Sequence, residues 1–82
     1  MKDSARRAEI MGVEAKLTRE KDGSIRIALP AFAVGKRGAD VYYWAGSLKD
    51  GQVVSCNFAS AQTYLEQAAK LPVEALPSES VE

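Results

Sequence analysis

Two Asp-Gly pairs, Asp22-Gly23 and Asp50-Gly51, punctuate a chain whose apolar and polar residues alternate. Asp and Gly tolerate the positive φ of a tight turn, and alternation with a period of two marks a strand with one buried face. Together they confine the chain to antiparallel strands joined by short connections. Val13, Ala15 and Leu17 alternate with Glu14, Lys16 and Thr18. Beyond Lys21-Asp22-Gly23-Ser24, the pattern resumes as Ile25, Ile27 and Leu29 around Arg26 and Ala28. Pro30 cannot donate to a ladder, so this strand either stops there or passes a bulge into Ala31-Phe32-Ala33-Val34. Gly35-Lys36-Arg37-Gly38 supplies the next turn, and Val41 to Ala45 is β-branched or aromatic, as a pleated surface prefers. Lys49-Asp50-Gly51 then precedes a last strand from Gln52 to Phe58. The pattern predicts a four-stranded antiparallel meander.

From Ser60 the period changes. Ala61, Tyr64, Leu65, Ala68 and Leu71 fall at helical spacing, with Gln62, Glu66 and Lys70 on the other side. Ser60 suits an N-cap and Pro72 stops the helix. The apolar stripe needs a surface, and the sheet face carrying Val13, Leu17, Ile25, Ile27, Leu29, Val41, Tyr43, Val54, Cys56 and Phe58 offers one. The expected fold is α+β, a meander closed on one face by a C-terminal helix. Residues 1–11, with helix formers and weak periodicity, can add a short fraying helix ended by Gly12. Residues 1–71 form the domain, and 72–82, with two prolines and Glu74, Glu79 and Glu82, read as a disordered acidic tail dispensable for folding.

At 82 residues the chain holds one domain, and its core is marginal, since folding at this size removes only about 60% of the unfolded chain's surface from water. One Cys and no His exclude an internal disulfide, leave a Cys/His zinc site almost without ligands and remove imidazole acid-base chemistry. No enzyme activity, metal or cofactor is expected. No window approaches the roughly 18 apolar residues of a membrane span, and the N-terminus leads into no signal-peptide core, so the cytoplasm is the expected compartment. The balance of 11 basic and 11 acidic residues favours no polyanion, although residues 1–41 carry nine basic against six acidic and residues 42–82 two against five.

Alternation places Glu14, Lys16, Thr18, Arg26, Ala28, Tyr42, Trp44, Val53, Ser55 and Asn57 on the face opposite the helix. Tyr42 and Trp44 beside Lys16 and Arg26 can stack on nucleobases with cations reaching phosphate. They can equally anchor a protein interface, where Trp, Tyr and Arg predominate. In a third arrangement residues 1–11 or 31–34 fold over this face and bury the two rings. Lys36 and Arg37 sit in a GXXG pattern like the backbone clamp of KH domains, but between strands rather than helices, which makes a solvated turn with a secondary contact the better reading. Cys56 is expected as a buried structural thiol.

The strand-strand-strand-helix order ending in Val53-Val54-Ser55-Cys56-Asn57-Phe58-Ala59-Ser60-Ala61 resembles the layout of AP2-type and integrase arm-type DNA-binding domains. For such a sheet reader Lys16, Arg26, Tyr42 and Trp44 would be the contact residues, with Glu14 opposing them. The compact plan is also similar to small phage-encoded inhibitors, including anti-CRISPR proteins, which act by occupying a partner's surface. The leading expectation is a non-enzymatic protein-binding module of the inhibitor or regulator kind. The alternative is nucleic-acid binding through the aromatic and basic sheet face. A homodimer through an uncovered aromatic face is compatible with both.

Overall fold

The computed structural model describes residues 5–77. Five strands lie in chain order across one antiparallel sheet, β1 (Ala5–Ile10), β2 (Val13–Arg19), β3 (Ile25–Pro30), β4 (Tyr42–Lys49) and β5 (Gln52–Cys56). The helix α1 (Gln62–Ala68) follows, and short 3-10 turns occupy Ala31–Val34, Ala59–Ala61 and Val73–Ala75. This is the α+β arrangement predicted, with five strands in place of four. Among the described residues no helix is long and apolar enough to cross a membrane.

The additional strand replaces the short N-terminal helix. Met11 and Gly12 take φ values of 53° and 78°, so they close a two-residue hairpin that pairs Ile10 with Val13 and continues to Ala5 opposite Thr18. A turn with two positive φ angles matches the twist of the strands it joins. Ala, Arg and Glu favour helix intrinsically, but so short a helix cannot hold itself in water. Pairing with β2 instead satisfies the backbone and buries Ile10. Residues 1–4 of the expected helix lie outside the described residues.

One sheet face forms the core. Leu17, Ile27, Leu29 and Leu65 are fully enclosed, and Ala45, Leu48, Ala61 and Ala68 complete the contact between β4 and α1. The helical stripe therefore faces the sheet as its spacing required, while Gln62, Glu66 and Lys70 are exposed. Ser60 does not cap the helix. It lies inside the preceding 3-10 turn, and its hydroxyl donates to the Ala33 carbonyl at 3.4 Å. The expected extension of β3 through residues 31–34 is likewise a 3-10 turn, with Ala31, Ala33 and Val34 buried and Phe32 turned outward. Gly35, at φ 77°, ends that turn, so Gly35 to Gly38 opens an irregular connection rather than forming a hairpin tip.

Two bulges set which side chains reach the core. Ile27 pairs with Gly46 and Ala28 with Trp44, which leaves Ala45 as an extra residue in β4. Ser47 pairs with Ser55 and Leu48 with Val53, which makes Val54 an extra residue in β5. An extra residue reverses the alternation beyond it. Val53 consequently packs against the core and Val54 is exposed, contrary to strict alternation, whereas Cys56, opposite Gly46, is exposed at the end of the edge strand. Val41, also expected in the core, precedes β4 and is exposed, its carbonyl accepting the Ala31 N–H at 2.9 Å.

The first part of the expected tail belongs to the domain. Arg6 donates to the carbonyls of Glu74 and Leu76, and Arg19 Nε donates to that of Pro77 at 2.9 Å. Leu76 packs on the core and Pro77 is buried. Composition concealed this because Leu76 and Pro77 are anchored by arginines 70 and 58 residues away along the chain. Residues 78–82 lie outside the described residues. Ending the chain at Leu71 is therefore expected to cost about 1–2 kcal/mol of apolar burial. For a domain of this size that lowers Tm by roughly 4–16 °C, which a thermal melt reads directly.

Candidate binding interface

Among the described residues, no element covers the face of the sheet away from α1. Neither described segment proposed as a cover lies across it, since β1 extends the sheet and residues 31–34 pack at its end with Ala33 and Val34 in the core. Pairing brings Lys16 opposite Ala28, Ala28 opposite Trp44, and Pro30 opposite Tyr42, so side chains far apart in sequence share one surface. Lys16 Nζ lies 4.0 Å from the Tyr42 ring centroid, and the Arg26 guanidinium lies 4.3 Å from that of Trp44. Two cation-π pairs thus stand side by side across β2, β3 and β4.

Trp44 is held from three directions. Its indole Nε1–H donates to the Gly46 carbonyl at 3.0 Å, a bond within one strand across the bulge at Ala45. Its own carbonyl accepts the Asn57 side-chain amide at 2.8 Å. Arg26, above its ring, also pairs with Glu20 at 3.5 Å. Trp44 nevertheless remains 48% exposed, a fixed ring at the surface. Shallow hollows flank it and Tyr42. One of about 500 Å³ is lined by Glu20, Asp22, Arg26, Trp44 and Ser47, and another of about 360 Å³ by Glu14, Pro30, Phe32 and Tyr42. At the rim of the first, Ser24 donates its hydroxyl at 2.6 Å and its N–H at 2.9 Å to Asp22. The hydroxyl contact foremost, then the N–H, hold the Asp22 carboxyl below the usual carboxylate range.

Four of the six residues singled out in the sequence meet here, Lys16, Arg26, Tyr42 and Trp44. Lys36 and Arg37 do not join them. Lys36 Nζ lies 5.9 Å from the ring of Phe58, which packs edge-on against Tyr43 toward the core side, and Arg37 is exposed in the connection beyond Gly35. The expectation that Cys56 is a buried thiol also fails, since the side chain is exposed and its thiol donates to the Phe58 carbonyl at 3.1 Å.

Sequence reading missed Glu20, Arg7 and Phe32, and gave Asn57 a face but no partner. Glu20 lies in the loop before β3, where alternation assigns no face. Arg7 lay in the segment read as helix, yet it reaches Glu14 at 3.2 Å on the open face. Asn57 was on the correct face, but only the bulges bring it to the Trp44 backbone. Phe32, 71% exposed, belonged to a supposed strand. Among the described residues, no three His, Cys, Asp or Glu side chains gather as metal ligands would. No protein-family model, curated protein or solved structure matches the chain.

Proposed function

We propose that this chain is a non-enzymatic binding module that docks a protein partner on the open sheet face and acts by occupancy, as a stoichiometric inhibitor or regulator does. The observation that carries this reading is the pairing of Lys16 with Tyr42 and of Arg26 with Trp44. Each ring already has a cation of the same chain against it, and Arg7 and Arg26 are matched by Glu14 and Glu20. A polyanion reader needs uncovered rings and a clear basic excess. This face instead combines fixed aromatic rings, charge balance and shallow hollows. Rigid Trp, Tyr and Arg side chains are the usual anchors of protein interfaces, because little side-chain entropy is lost when they are covered. The complementary partner surface is apolar where it meets Trp44 and Tyr42, with carboxylates at its margin for Arg26 and Lys16.

Trp44 is the only tryptophan, so its emission reports on this face. Oligonucleotides, single-stranded or duplex, are expected to leave that emission unchanged at physiological salt. Quenching that weakens steeply with added salt would instead establish the nucleic-acid reading. With a purified partner in hand, Trp44→Ala is expected to weaken binding by 2 kcal/mol or more, roughly thirtyfold in Kd, while leaving the circular dichroism spectrum unaltered. An equal affinity for the variant would move the interface elsewhere.

A further inference from the structure

The two edges of the sheet are built differently. At one edge β5 spans five residues and carries the Val54 bulge, a device that spoils an edge for further pairing. At the other, β1 keeps unbroken register from Ala5 to Ile10 and contains neither proline nor bulge. Because Met11-Gly12 is a two-residue turn, Ile10, Ala8 and Arg6 direct their backbone groups to β2, and Ala5, Arg7 and Glu9 direct theirs outward. The outer edge is a regular row of donors and acceptors.

The charges of β1 conflict with those of β2. Arg7 stands opposite Lys16, and Glu9 stands opposite Glu14. Like charges directly across a ladder are destabilising. Exchanging Arg7 and Glu9 would place opposite charges at both positions, so within a single chain the natural order is the poorer one. The diagonal contact from Arg7 to Glu14 relieves part of this conflict, and Glu9 has no ion-pair partner among the described residues.

A second β1 running antiparallel resolves the conflict. We infer that two copies of this chain pair through β1 about a two-fold axis at Ala8, forming one continuous ten-stranded sheet. In that register Arg7 of each copy lies opposite Glu9 of the other, and both residues are among those whose N–H and C=O point outward. Each pair therefore combines two backbone hydrogen bonds with one charge pair. Ala8 meets Ala8 at the non-hydrogen-bonded centre, where strands approach closest and a small side chain fits. Such an axis is perpendicular to the sheet, so both open faces lie on the same side and the Tyr42 and Trp44 surface is doubled. The inference stands independently of what binds that surface.

Sedimentation equilibrium on the full chain over a range of concentrations tests it. The wild-type chain is expected to be dimeric. Arg7→Glu and Glu9→Arg are each expected to weaken the dimer by about tenfold or more, since each places like charges at both symmetric contacts. Mixing the two variants restores a one-to-one heterodimer, because every position 7 then faces an opposite charge at position 9. Glu9→Pro removes only an outward N–H, so it is expected to abolish the dimer with an unchanged circular dichroism spectrum. Amide exchange at Arg7 and Glu9 of the wild type slows as the dimer forms, and Trp44 emission stays constant. A chain monomeric even at NMR concentrations overturns the inference. So does a dimer that withstands both charge reversals, or one whose formation shifts the Trp44 emission.

Discussion

Leu65→Ala is expected to lower the unfolding free energy by roughly 2–5 kcal/mol. Leu65 is the centre of the helical stripe and fully buried, reaching the backbone of β4 at Gly46. Truncation removes its apolar surface and leaves a void that cannot close, because both elements beside it are held by other contacts. Chains of about this size have total stabilities of roughly 4–12 kcal/mol, so the variant sits near the folding threshold. Urea denaturation reads the effect as a large fall in midpoint at an unchanged slope. Gln62→Ala, on the exposed side of the same helix, is expected to shift stability by no more than about 0.5 kcal/mol, even though the Gln62 amide donates to Glu66 at 2.9 Å. Equal losses in the two variants would mean that α1 packs through its other face.

Gly46→Ala is expected to be comparably damaging for the opposite reason. A Cβ at this position would overlap the Ser55 carbonyl oxygen and stand 2.6 Å from Leu65 Cδ1. The Leu65 methyl could turn aside, but the Ser55 carbonyl belongs to the neighbouring strand. Relief therefore requires β4 and β5 to separate, at a cost of roughly 3 kcal/mol or more. The same movement would displace the carbonyl that accepts the Trp44 indole N–H. The variant is thus expected to show a red-shifted Trp44 emission as well as a lowered Tm. Adding Leu65→Ala to Gly46→Ala is expected not to restore stability, because the overlap with Ser55 remains. Recovery in the double variant would show that the leucine methyl, and not the strand backbone, excludes a side chain at Gly46.

The open face was readable from alternation where the strands are regular. Lys16 and Arg26 lie on strands whose period is uninterrupted up to these residues, and Tyr42 and Trp44 are two residues apart on the same stretch of β4. Their convergence follows from pairing consecutive strands in a meander. Val53 and Val54 exchange places because one extra residue in β5 reverses facing, and no residue type in Gln52 to Phe58 marks where that residue is inserted; Cys56 is exposed because it ends the edge strand. Bulges are chosen by the fit of the whole sheet, which includes the close approach of Ser55 and Leu65 to Gly46.

Local chemistry determined the meander of the last four strands, the helix that covers them and the face it buries. Each depends on neighbours in sequence, on turn residues that accept positive φ and on the period of apolar side chains. Tertiary structure decided the first strand, the docking of residues 72–77, the two bulges and the partners of Trp44. The segment 5–10 has composition suited to helix and becomes a strand because β2 lies beside it with an unpaired edge. Residues 72–77 are too short and too proline-rich to form an element of their own, yet they lie against the domain because Arg6 and Arg19 hold their carbonyls and Leu76 and Pro77 meet the core. In each case the deciding energy comes from groups distant along the chain, and no local pattern of residues records it.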